Sequence, residues 1–148
     1  MEKTKVTKRS MLSFGLKTLE TYKQLSRQLA ALSGAKELTN RDAFLIALMW
    51  GFKNGSGPVD SFVKSPTGVR LEFLKDEDIA LMAAVQLAVT KDPESLLDFD
   101  QRLDLAERYA ETGILLLGKM LDEPGDFARA FAAEIMSMAG EQAALAQE

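Results

Sequence analysis

The residues with the clearest chemical potential are basic. Lys3, Lys5, Lys8, Arg9, Lys17, Lys23 and Arg27 place seven positive charges within the first 27 residues, a density suited to phosphate contact, which adds affinity and salt dependence without reading base sequence. No aromatic residue interleaves them before Phe14, so the pattern favours a duplex backbone over stacked single-stranded bases. Acidic residues cluster at Asp76, Glu77 and Asp78 and again at Asp92, Glu94, Asp98, Asp100 and Asp104. Neither cluster supplies the glycine and closing glutamate of a calcium loop. Most of these carboxylates stand where a helix should start, and there they cap free N–H groups and complement the helix dipole. Ser61-Phe62-Val63-Lys64 has the Ser-x-x-Lys spacing of penicillin-recognising enzymes but lacks the companion Ser-Asp-Asn and Lys-Thr-Gly elements. Phosphate-binding and dinucleotide-binding glycine loops are also missing. The chain has no Cys and no His, which removes disulfides, thiolate nucleophiles, thiolate or imidazole zinc sites and every imidazole base. The expectation is a protein that binds rather than catalyses, with no catalytic residue, metal ligand or cofactor assigned. A metal-dependent enzyme using Asp76, Asp78 or Asp98 is the minor alternative.

The elements that position these groups follow from length and periodicity. At 148 residues the chain is about one domain and buries enough surface for a real core. With 47% hydrophobic and 27% charged residues it reads as globular rather than disordered. No apolar run reaches the roughly 18 residues of a membrane span and no signal-peptide core is evident, so the expected location is cytoplasmic, away from membranes. Apolar residues recur at three and four, which predicts an all-α fold of about five to six helices with a short N-terminal strand or arm. Leu12, Leu16, Leu19, Tyr22, Leu25, Leu29 and Leu32 predict a first helix over 11–33, closed by Gly34. The Lys/Thr alternation of residues 3–9 suits an extended arm or edge strand. Thr39 and Asp42 predict a second helix from about Asn40 to Lys53. This helix is apolar on every face, so Phe44, Leu48, Trp50 and Phe52 belong to the core or to a subunit interface. Breakers at 54–58 and 65–68 mark the longest loop. Val69, Leu71 and Phe73 suggest a short strand or extended entry before a third helix from Asp76 to Thr90. Asp92-Pro93 opens a short turn that leads into a long helix ending before Glu123-Pro124-Gly125-Asp126, and Phe127, Phe131, Ile135 and Met138 mark the last helix.

The net charge of −4 conceals an asymmetry. Residues 1–70 hold twelve basic and five acidic residues, net +7, whereas residues 71–148 hold six and seventeen, net −11. The expected organisation is a single domain, 1–148, with a basic helical part at 1–57, a loop at 58–68 and an acidic helical part at 69–148. The halves are solvated faces that simply differ in sign, or complement each other within or between subunits, or face different partners: phosphates for the first, a basic protein surface for the second.

Two stretches carry a family likeness. Tyr22-Lys23-Gln24-Leu25-Ser26-Arg27-Gln28-Leu29, the Ser33-Gly34 turn and the apolar run Asp42 to Gly51 make the region from Leu19 to Gly57 resemble the DndE type of small helical protein from bacterial DNA phosphorothioation systems. Asp42 to Gly55, Phe73-Leu74-Lys75-Asp76-Glu77-Asp78 and Ala106-Glu107-Arg108-Tyr109-Ala110-Glu111-Thr112-Gly113-Ile114 resemble the family called Dnd system-associated protein 4, over about Tyr22 to Met120. The first resemblance implies a ribbon-helix-helix-like core, oligomerisation and duplex DNA binding through lysines. Both imply a place in a bacterial locus that marks or restricts DNA. The sequence therefore leads to a non-catalytic accessory protein of a DNA-modification or anti-phage system. Lys3, Lys5, Lys8, Arg9, Lys17, Lys23 and Arg27 would hold duplex DNA, and the acidic half would dock a larger defence-system subunit, in a homo-oligomer. The alternative is a pure protein-assembly subunit with no DNA contact.

Overall fold

The computed structural model describes residues 7–34 and 37–146. In chain order it comprises β1 (Met11–Gly15), α1 (Leu19–Ser33), α2 (Asn40–Asn54), β2 (Lys64–Arg70), α3 (Asp76–Thr90), α4 (Phe99–Asp122) and α5 (Phe127–Ala146), with short 3-10 turns at Leu71–Phe73 and Pro93–Leu97. The fold is mostly α-helical, as the periodicity predicts, with one two-stranded sheet. Among the described residues no helix is long and apolar enough to cross a membrane.

α2 is the central helix. The Thr39 side chain accepts the Asp42 N–H at 3.1 Å and starts it. Ala43, Phe44, Ala47 and Leu48 are fully buried, and the two larger side chains contribute about 2 kcal/mol each by leaving water. Trp50 is buried too, stacked on Phe131 of α5 with ring centroids 4.9 Å apart, and half-buried Phe52 meets the ring of Tyr109 on α4 edge-on. Phe44, Leu48 and Trp50 therefore serve the core of one chain, while Leu45, Ile46 and Met49 are only partly buried. α4 crosses α2 and supplies Leu103, Ala106, Ala110, Ile114 and Leu117 to the same core.

Carboxylates open the later helices. Asp92 and Asp98 accept the N–H groups of Glu94 and Gln101 at 3.1 and 3.0 Å. Asp126 accepts those of Ala128 and Arg129 at the start of α5.

Two expectations are corrected. Residues 11–15 form a strand rather than the first turn of α1: buried Leu12 and Phe14 alternate with half-buried Met11 and Ser13, a period of two that the Leu12/Leu16/Leu19 spacing masks. Its partner is β2, which occupies the second part of the expected 58–68 loop and extends to Arg70; the expected Val69–Phe73 extended entry is thus half strand, half 3-10 turn. β1 and β2 pair antiparallel with Leu12 opposite Val69 and an irregularity between Ser13 and Gly15. The basic and acidic halves do not separate at the loop, because β2 returns to β1 and both halves build one core.

Side chains meet part of each sheet edge. Ser10 C=O accepts the N–H of Leu71 at 3.0 Å, so the alternate residues Met11 and Ser13 direct their backbone groups away from β2. The Arg9 guanidinium donates to Met11 C=O at 3.4 Å and Glu107 accepts the Ser13 N–H at 2.6 Å. On the outer edge of β2, Asn40 donates to Gly68 C=O at 3.1 Å and Pro66 has no N–H.

Candidate nucleic-acid interface

Lys3 and Lys5 lie outside the described residues, and the other five expected phosphate-binding residues fall into two sets. Lys8, Lys17, Lys23 and Arg27 are exposed. Lys23 and Arg27, one turn apart, share the outward face of α1, because Tyr22, Leu25, Ser26 and Leu29 take the inward one. Lys17 stands at the entry to α1. Lys8, Lys17 and Arg27 have no carboxylate within ion-pair distance among the described residues, and the Lys23 to Glu20 contact, 3.5 Å between two exposed side chains, is weak in water. Arg9 differs: it pairs with Glu107 of α4, whose side chain is fully buried. Lys64 reaches the other oxygen of Glu107 at 2.8 Å, and Thr7 hydrogen-bonds Asp100, also on α4.

The two halves of the chain are thus partly neutralised by each other. Arg41 at the start of α2 clamps Asp78 of α3 through Nε at 2.6 Å and Nη2 at 2.9 Å. Burial alone would raise the Asp78 carboxyl, but these bonds and the Lys75 N–H at 2.9 Å outweigh it, and its pKa falls below the ordinary value.

One turn beyond Glu107, Glu111 is also buried. Its Oε1 accepts the Thr18 hydroxyl at 3.0 Å; burial pushes its pKa up, and that single hydrogen bond offsets only part of the shift. The folded pKa lies above the unfolded one, so between them the folded state binds more protons and stability falls as pH rises. Glu111→Gln keeps an acceptor for Thr18 and removes the charge. It is expected to raise the midpoint of thermal unfolding relative to the parent at pH 7 to 8. The gap should close below about pH 4, where the unfolded glutamate is itself protonated; a gap that persists there would point to packing instead.

Glu107 and Glu111 are the residues that sequence reasoning missed. The signal was their register: both sit within the apolar stripe Leu103, Ala106, Ala110, Ile114 of α4, where a charged residue needs a partner. Among the described residues, no three carboxylates converge to hold an ion. Ser61 and Lys64 are both exposed, and Lys64 is committed to Glu107. No protein-family model matches the chain, and neither a curated protein nor a solved structure matches it.

Proposed function

We propose that this chain is a non-catalytic accessory protein that binds duplex DNA through its phosphates and docks a larger protein partner, within a bacterial DNA-modification or anti-phage system. The observation that carries the DNA contact is the set of exposed cations at the start and outward face of α1, namely Lys17, Lys23, whose only ion pair among the described residues is the exposed one with Glu20, and Arg27, with Lys8 on the arm before β1. The partner surface falls to the exposed carboxylates of the second half, such as Asp76, Glu77, Glu94 and Asp122. The defence setting rests on the resemblance of Asp42–Gly55, Phe73–Asp78 and Ala106–Ile114 described above. β1 pairs with β2 of the same chain, so the two-chain ribbon of a ribbon-helix-helix core is not what this strand builds.

Titration of labelled duplex DNA tests the contact. With four phosphates neutralised, affinity should drop by about a hundredfold between roughly 50 and 200 mM salt. The combined charge reversal of Lys8, Lys17, Lys23 and Arg27 to Glu should abolish binding with helix content intact. Unchanged affinity in that variant overturns the DNA role.

One observation favours assembly without DNA contact. Leu45, Ile46, Met49, Phe131, Ile135 and Met138 line an apolar groove of about 560 Å³ between α2 and α5, and Met136 on α5 is largely exposed. Oligomers would form through such an exposed helical face. Concentration-dependent sedimentation together with no duplex binding at either salt would establish this reading.

A further inference from the structure

A cleft of about 830 Å³ runs along α4 between the entry to α1 and the loop at 61–63. Its α4 wall is a single helical face: Glu111, Ile114, Leu115, Gly118, Lys119 and Asp122. Glu111 forms one end. Thr18 donates to its Oε1, and among the described residues no hydrogen bond reaches its Oε2, which leaves that oxygen as an acceptor on the side of the cleft. The middle is apolar, with Ile114 buried, Phe62 half-buried, and Val63 and Leu115 exposed at 62% and 47%. Lys119 marks the other end, eight residues on, roughly 12 Å along the helix. Lys17 stands on the rim. Neither lysine has a carboxylate within ion-pair distance among the described residues.

An acceptor that wants an N–H donor, a flat apolar middle and a cation at about the span from a base amino group to its phosphate describe one ligand class. We propose that this cleft binds a nucleoside monophosphate unit bearing an exocyclic amine, with the amine donating to Glu111, the base against Phe62, Val63 and Leu115, and the phosphate on Lys119 and Lys17. Carboxylate acceptance of a base amino group is an established recognition geometry. The raised pKa of Glu111 agrees with an acid held out of water for a partner to meet. Lys17 is shared with the duplex contact proposed above, whereas Glu111 and Lys119 are not.

Calorimetric titration of the full chain with cytidine, guanosine and uridine 5′-monophosphates, and with inorganic phosphate, tests it. Cytidine and guanosine monophosphates should bind saturably at one site, and uridine monophosphate, which lacks the exocyclic amine, about tenfold more weakly, the loss of one charge-assisted hydrogen bond. Glu111→Gln should remove most of that base preference, and Lys119→Glu, at an exposed position with no structural partner, should weaken every nucleotide by about tenfold or more. Both substitutions lie outside the α1 row, so they leave salt-dependent duplex binding in place and the two readings fail separately. A 5′-phosphorylated cytidine dinucleotide that binds as tightly as the mononucleotide identifies a strand end as the source; one that is excluded identifies a free nucleotide. No nucleotide binding, binding indifferent to both substitutions, or inorganic phosphate binding as tightly as cytidine monophosphate overturns the proposal.

Discussion

Gly113→Ala is expected to destabilise the protein by about 3 kcal/mol or more, the upper range of overpacking. α2 and α4 cross where Gly51 faces Gly113. A Cβ on Gly113 would overlap the Ala47 carbonyl oxygen and stand 2.7 Å from the Gly51 nitrogen; a Cβ on Gly51 would overlap the Tyr109 carbonyl oxygen. These neighbours are backbone on both sides, so no side chain can turn away to make room. The helices would have to move apart, opening voids around Ala47, Leu48 and Ala110, which are fully buried. Gly140→Ala in α5 is the control, since nothing lies within 4 Å of the added carbon, and it should gain up to about 1 kcal/mol from helix propensity. Urea unfolding measures both. A loss below about 1 kcal/mol for Gly113→Ala would mean that the crossing spreads easily, and the two glycines would then lose their assigned role.

That crossing shows where the sequence was readable and where it was not. The apolar run of α2 and its start at Thr39 are local, since one side chain caps one N–H and the composition on every face demands burial. The bounds of α3 and the Asp92 and Asp98 caps are local for the same reason. The glycine pairing is not: Gly51 and Gly113 stand 62 positions apart, and each alone reads as an ordinary weak point in a helix. β1 and β2 illustrate the same limit. Lys64 to Arg70 contains Pro66 and Gly68 and looks like a loop until its partner is known, and Met11 to Gly15 fits either period over five residues.

The charge asymmetry was legible as a count, and mutual neutralisation of the halves was among the readings it allowed. Which residues carry it was not. Arg9 has the same sequence context as Lys8, yet one is spent on a buried carboxylate and the other faces solvent. Only the position of Glu107 one side of α4 decides between them.

Glu107 is accordingly the position where stability and binding should move in opposite directions. Its side chain is fully buried, Oε2 takes the Ser13 N–H at 2.6 Å and the Arg9 guanidinium, and Lys64 Nζ approaches Oε1 at 2.8 Å. Glu107→Ala removes the acceptor from an edge-strand N–H and strands two cations. Arg9 and Lys64 are exposed enough to regain some water, so the expected loss is about 3 kcal/mol, the low end for breaking a buried pair. Glu107→Gln keeps an acceptor for Ser13 and should lose less, which separates the hydrogen bond from the charge. Released from α4, Arg9 becomes free to meet a phosphate. One added contact steepens the slope of log affinity against log salt by about 0.9, and this change should appear in Glu107→Gln at temperatures where that variant is folded. An unchanged slope with reduced stability would leave Arg9 a purely structural cation and confine DNA contact to Lys8, Lys17, Lys23 and Arg27. A steeper slope would show that the acidic half regulates the basic one by holding back one of its cations.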